Sequence, residues 1–191
     1  MSVQDDAERI EPSSAAEWGE WLAEHHDRGS GVWLVSRRRD ADKAFSYEEA
    51  VLEALRFGWV DSTQRPVDEA RSMMWFAPRR PQSLWTRPNR ERIARLEAEG
   101  RLESAGRAAV DAAHANGNWN LLEPAEDGIV PDDLGAALAR HPGSREHFES
   151  FSPSVRKAIL SWIITAKRPE TRADRIETTA EKAARGERSV G

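Results

Sequence analysis

Strand-like runs in this chain are confined to its first half, and that confinement limits the folds open to it. Val32-Trp-Leu-Val35, Trp59-Val-Asp-Ser62 and the stretch Arg71 to Ala77 read as short strands rich in β-branched and aromatic residues. The last two are expected to pair as an antiparallel hairpin across a turn containing Pro66. Beyond Pro131 the apolar residues recur at helical spacing, as in Val155, Ile159, Trp162 and Ile163. Strands segregated from helices in this way predict an α+β fold. A small, mainly antiparallel sheet with flanking helices comes first, followed by a helical C-terminal part.

Helix boundaries are marked by their caps. Ser14-x-x-Glu17 and Ser46-x-x-Glu49 are capping-box patterns, and Gly58 is placed to stop the second helix in a left-handed conformation. Trp18, Leu22 and His25 share one face of the first helix, and Arg37-Arg-Arg39 reads as the wet end of the strand that follows it. Three prolines (78, 81 and 88) exclude regular structure from Pro78 to Pro88, and Pro88 suits the first turn of a further helix. Ser104 to Ala115 predicts another helix, closed by Asn116-Gly117. The acidic stretch 118–131, with Pro124, Gly128 and Pro131, reads as a linker between an N-terminal domain (1–117) and a helical domain (132–191). Trp59, Ile159 and Trp162 are expected in the cores.

With 191 residues the chain has room for one good core or two small ones. It has no cysteine, which excludes disulfides, thiol catalysis and thiolate metal sites. The five histidines show no His-x-x-x-His spacing, so no metal and no cofactor are expected. There is no phosphate-binding glycine loop, dinucleotide fingerprint or Gly-x-Ser-x-Gly elbow. No apolar run approaches the ~18 residues needed to span a bilayer. The acidic start, without an apolar stretch, is unlike a signal peptide, so the expected location is cytoplasmic. A net charge of −5 argues against nucleic acid as a partner.

The sharpest local feature is the crowding of Trp, Asp, Ser, Arg and Asn between residues 57 and 90. Residues 79 to 101 hold seven arginines against three glutamates, a local surplus of four positive charges. Arg79 and Arg80 sit in a proline-bounded loop ahead of a helix N-terminus, where guanidinium forks and free N–H groups suit an anion. Trp85 is placed to stack on a ring. If Trp59 points inward, so does Asp61, by the two-residue period of a strand. A buried carboxylate needs a partner, and Arg79, Arg80 and Arg90 are the candidates. A structural ion pair is preferred over a catalytic carboxylate. The candidate ligand-binding set is Trp59, Asp61, Ser62, Arg79, Arg80, Trp85, Asn89 and Arg90. Two readings stay open: a binding module for a small anionic or aromatic ligand or a protein partner, and an enzyme built on Asp61 and the Arg79/Arg80 loop. Arg172 and Arg175, one helical turn apart, face the same way and are expected to dock onto the N-terminal part.

Longer motifs carry a resemblance. Gly31-Val-Trp-Leu34, Ser46-Tyr-Glu-Glu-Ala50, Ala54-Leu-Arg-Phe-Gly-Trp-Val-Asp-Ser62, Phe76-Ala-Pro-Arg-Arg-Pro81 and Asn89-Arg90 carry its N-terminal part. Ser152-Pro-Ser-Val-Arg-Lys157 and the run Trp162 to Ile176 carry its C-terminal part. Together they resemble the YdeI/OmpD-associated, bacteriocin-protection family. Leu84-Trp-Thr86 stands where that family commonly has Asn-Trp-Ser. The resemblance implies an α+β first part, a small helical second part and a link to stress or antimicrobial-peptide tolerance. It implies no particular reaction.

Overall fold

The structure is a computed structural model that describes residues 4–37 and 45–190. Arg38 and Arg39, expected at the wet end of a strand, lie outside the described residues. The fold is α+β, and the chain divides into two compact units. Residues 1–83 and 88–116 form the first; residues 84–87 and 117–191 form the second.

The first unit is built on a four-stranded sheet. In chain order its elements are β1 (Arg9–Ile10), α1 (Ala15–His25), β2 (Val32–Arg37), α2 (Tyr47–Arg56), β3 (Trp59–Pro66), β4 (Arg71–Pro78), α3 (Arg87–Ala98) and α4 (Ser104–Ala115). The strand order is β1-β2-β4-β3. β3 and β4 form the expected antiparallel hairpin, and β2 pairs antiparallel with the other side of β4. β1 adds two residues parallel to β2, a strand too short for a sequence pattern to reveal.

The caps form as the sequence predicts, with one difference. At α2 both halves of the capping box are present: Ser46 accepts from the Glu49 amide and Glu49 accepts from the Ser46 amide. At α1 Ser14 accepts from the Glu17 amide, but the Glu17 carboxylate reaches Ser13 instead, through both its amide and its hydroxyl. After α2 the chain turns at Gly58, whose φ of 75° is the left-handed stop that only glycine adopts without strain. A second glycine is needed for space. A Cβ on Gly106 would lie 2.3 Å from the Arg56 carbonyl oxygen, so α4 can approach the end of α2 only because that side chain is absent.

Alternation divides the sheet into two faces. One carries Val32, Leu34, Ser36, Ser72, Met74, Phe76, Trp59, Asp61 and Gln64, and meets α1 and α2. There Trp18 and Trp59 are fully buried, edge to face at 6.4 Å, with Phe76 5.6 Å from Trp18 and Trp21 5.9 Å from Trp59. Both indoles find acceptors: Trp18 donates to the buried Ala50 carbonyl (3.2 Å) and Trp59 to the part-buried His26 carbonyl (3.0 Å). The other face holds a smaller cluster of Trp33, Val35, Met73 and Trp75, packed against Ala7, Val67 and Ala77. Trp33 donates to the Gln4 carbonyl at 2.7 Å, so the N-terminal segment helps cover this face.

The second unit is helical: α5 (Glu123–Glu126), α6 (Asp132–Arg140), α7 (Ser144–Ser150), α8 (Pro153–Ile164) and α9 (Pro169–Ala184). The 118–131 stretch, expected as a linker, belongs to this unit and carries α5, with Ala125 buried. Leu134, Leu138, Phe148, Ile159, Leu160, Ile163 and Ile176 form the core. Trp162 is only partly buried, unlike Ile159. It sits at the margin of α8, roofed by the Arg175 guanidinium 5.0 Å from its ring centroid. Arg175 also donates to the Trp162 carbonyl at the end of α8. Arg172 grips Asp133 with two hydrogen bonds of 2.8 and 3.0 Å. Both arginines, expected to dock onto the first part, make these contacts within their own unit, tying α9 to α6 and α8.

Truncating Trp59 to alanine should destabilise the protein by ~3–5 kcal/mol in a urea unfolding curve, because it removes a fully buried aromatic and leaves the His26 carbonyl without its donor. A loss under about 1 kcal/mol would show that the α1–β3 contact is not central.

Candidate functional site

Among the described residues, the face of the sheet that meets α1 and α2 leaves part of its area uncovered. A cavity of about 710 Å³ lies there. Its floor and walls are Leu34, Met74 and Phe76 from the sheet, with Phe45, Tyr47 and Ala50 at the start of α2. Ser36, Gln64 and Ser72 supply neutral polar groups. The volume lies within the ~300–1,000 Å³ typical of small-molecule sites, and the mix of apolar wall and few polar groups is also typical. Arg37 and Arg65 border the cavity as well. Register puts them on the opposite face: Arg65 pairs with Met73 and Arg37 with Arg71. Arg65 lies 5.0 Å over the Trp33 ring and forms an ion pair with Asp5 at 3.0 Å.

At the edge of this cavity stands a polar cluster. Tyr47 donates its hydroxyl proton to Asp61 Oδ2 at 2.8 Å. The Tyr47 ring lies 5.8 Å from the Arg92 guanidinium carbon. Arg92 is held in turn by Glu48, at 3.0–3.1 Å through Nε and 2.6 Å through Nη2, and by Asn89 Oδ1 at 2.8 Å. The hydrogen bonds from Arg92 hold Glu48 below the ordinary carboxylate range, and Glu48 raises Arg92. Tyr47 is pushed up to about 12, first by burial and then by the hydrogen bond and charge of Asp61. Tyr47 as a whole is 50% exposed, so the burial that raises it is partial.

The structure distributes the sequence-predicted site residues among different surroundings. Asp61 is half-buried on β3, and its hydrogen-bond donor is Tyr47. Arg79 lies within its electrostatic reach: burial pushes that guanidinium down to about 10 while Asp61 pulls the other way. Its amide donates to the Gly58 carbonyl at 2.9 Å. Arg80 is exposed, with its amide on the Ser83 hydroxyl. Trp59 is wholly core, and Ser62 is exposed where a bulge between Asp61 and Gln64 interrupts the β3–β4 ladder. Asn89 supports Arg92, and Arg90 is half-buried on α3. Trp85 does not offer a stacking surface: it belongs to the second unit, is 1% exposed and packs against Trp119 of that same unit, 4.9 Å away.

Tyr47, Leu34, Ser36, Gln64, Ser72 and Met74, which line the cavity, are not in the candidate set drawn from the sequence. Tyr47 is the only tyrosine in the chain and sits one residue after a capping serine, which marks it as the first residue of a helix. That placement says nothing of β3, fourteen residues on, where its partner lies.

Another network sits between α1, α2 and α4. Glu53 is 7% exposed and bridges Arg56 (2.7 Å) and Arg101 (2.6 Å). Arg56 continues to Glu103 at 2.9 Å. A buried carboxylate with two cations is satisfied in its setting, and this cluster reads as structural.

The two units thus define a protein with a sheet-borne cavity in one part and a compact helical bundle in the other. Residues 10–109 match the family model described as Domain of unknown function (DUF8412), which takes in just over half of the chain. The chain belongs to that family, and its second part, over residues 127–186, matches the model described as Bacteriocin-protection, YdeI or OmpD-Associated. The latter agrees with the resemblance drawn from its motifs. Comparison with curated proteins and with solved structures gave no significant match. Among the described residues no helix is long and apolar enough to cross a membrane, and no group of three or more His, Asp or Glu side chains is arranged to hold a metal ion.

Because Tyr47 is the sole tyrosine, its tyrosinate absorbance can be followed alone. The midpoint is expected near about 12 in the folded protein and lower in Asp61→Asn, with part of the rise retained because burial remains. The linkage has a definite sign. The folded state holds this proton more tightly than an ordinary tyrosine at 10.0, so the stability it contributes is present below about 10 and is lost as pH rises toward about 12. A native-state midpoint near 10 would show that the Tyr47–Asp61 contact does not persist in solution.

Proposed function

We propose that this chain is a binding module rather than an enzyme, and that its first unit takes a small neutral ligand with an aromatic or apolar body. The observation that carries this reading is the composition of the cavity. Strand alternation turns Arg37 and Arg65 toward the far face, so that they border the space only at its rim, and leaves Leu34, Met74, Phe76, Phe45 and Tyr47 around it, with hydroxyls and one amide as the polar groups of the cavity face. Burying an anion against the apolar wall would be costly, and Arg65 at the rim is already engaged by Asp5 and the Trp33 ring. Of the two ligand classes suggested by the sequence, the aromatic one is therefore favoured over the anionic one. Asp61 is occupied by Tyr47 and shares its field with Arg79 and Arg92, a supporting arrangement that assigns it no reaction.

The match of the second part to a bacteriocin-protection family supports a role in tolerance of such toxins. The absence of cysteine suits a reducing compartment, and we place the protein in the cytoplasm. A ligand-responsive module in that setting would report or buffer a small molecule and pass the state to a protein partner.

A thermal-shift screen of phenols, indoles and their carboxylated counterparts tests the reading, since a ligand that binds only the folded state raises the melting temperature. Neutral aromatics should stabilise the protein, and Met74→Trp, which fills the cavity, should abolish the shift while the variant still melts cooperatively. Arg79→Ala with Arg80→Ala should leave the shift unchanged. Stabilisation by anions alone, lost in that double variant, would move the site to the arginine loop and overturn the cavity assignment.

A further inference from the structure

The polar edge of the cavity has a fixed hydrogen-bonding sense. Ser36, Ser72 and Gln64 can each donate or accept, so they discriminate weakly between ligands. Tyr47 is different. Its one hydroxyl proton is directed at Asp61 Oδ2, 2.8 Å away. An ionised carboxylate only accepts, and the charge of Asp61 is felt by two guanidiniums, Arg79 and Arg92. The phenol oxygen therefore has lone pairs left for the cavity and no proton to give it.

The ring is also held in place. Arg92 lies over it, and Arg92 itself is fixed by Glu48 and Asn89. A polar group whose position and sense are set by a supporting layer imposes selectivity in a way that a rotating surface hydroxyl does not. A ligand N–H or O–H pointed at Tyr47 would extend a chain from ligand to Tyr47 to Asp61, in which each bond polarises the next. A ligand that offers only an acceptor there would leave the phenol oxygen desolvated and unmatched.

We infer that Tyr47, oriented by Asp61, selects cavity ligands that carry a hydrogen-bond donor, so that the preferred class is phenols, arylamines and indoles over their methylated counterparts. This rests on the cavity being the ligand site. It narrows the ligand class by one functional group and makes Tyr47 the residue that determines specificity.

Matched probe pairs separate the two levels of the argument: phenol against anisole, and indole against 1-methylindole, measured by calorimetry with wild type, Tyr47→Phe, Asp61→Asn and Met74→Trp. Wild type should favour the donor-bearing member of each pair by about ten-fold or more, the effect of leaving one desolvated oxygen unmatched. Tyr47→Phe keeps the ring and removes the oxygen, so the ratio should fall to about one while anisole binding is retained. Asn at position 61 can itself donate to the phenol oxygen and free the Tyr47 proton, so Asp61→Asn should lose or reverse the preference. If both members of each pair bind wild type equally, or if Tyr47→Phe keeps the preference, the inference is wrong and the cavity reading stands. If no probe binds wild type, or Met74→Trp binds them all as before, the cavity is not the site and both fail.

Discussion

Two buried indoles hold the first unit together. Trp18 on α1 and Trp59 on β3 meet edge to face, and each N–H must find an acceptor once water is excluded. Trp18 reaches the backbone of α2 and Trp59 reaches the backbone just beyond α1. Each ring thus fixes its own element against the next. With α1 and α2 anchored in this way on one part of the sheet, the remaining part of that face is uncovered among the described residues, and the cavity lies where the coverage by these helices stops. Its position is a consequence of where the two tryptophans pull the helices.

Four of the seven arginines in the arginine-rich stretch are engaged in ion pairs. A local count gives residues 79 to 101 a surplus of positive charge, which suggests an anion site. In the folded chain Arg92 meets Glu48, Arg95 meets Glu99, Arg101 meets Glu53 and Glu99, and Arg87 meets Asp127. Three of these carboxylates, Glu48, Glu53 and Asp127, lie outside the counted window, so most of the surplus of four is offset by residues that come close only on folding. The exposed members of such pairs contribute little individually. Their arrangement matters more at Arg92, where the pair with Glu48 sets the position of an aromatic ring.

Short-range physics was legible in the sequence, and long-range partnership was not. Ser46 and Glu49, Gly58, Pro88 and the ends of α4 are decided within four residues of themselves, and the structure places each as its local chemistry requires. The β3–β4 pairing was also readable, because two strand-like runs were separated by a short turn. The two-residue β1, the bulge after Asp61 and the burial of Trp85 against Trp119 all depend on a partner distant in sequence. Tyr47 is the clearest case: locally it is the first residue of a helix, and its relation to Asp61 exists only once β3 lies beside α2. Periodicity identified a core face on α8, but Trp162 falls at the margin of that face, where Arg175 rather than the core covers it.

The segment before α1 has a protective role that its shortness hides. Gln4 accepts from Trp33, Asp5 pairs with Arg65, Ala7 packs on the Trp33–Trp75 cluster, and Arg9 and Ile10 hydrogen-bond along β2. Without those few residues the start of β2 would become a bare sheet edge carrying Trp33, with Trp75 beside it on β4, and a bare strand edge is a template for pairing with another chain. The amino-terminal residues therefore shield a strand edge and a tryptophan pair that the sheet by itself would leave uncovered.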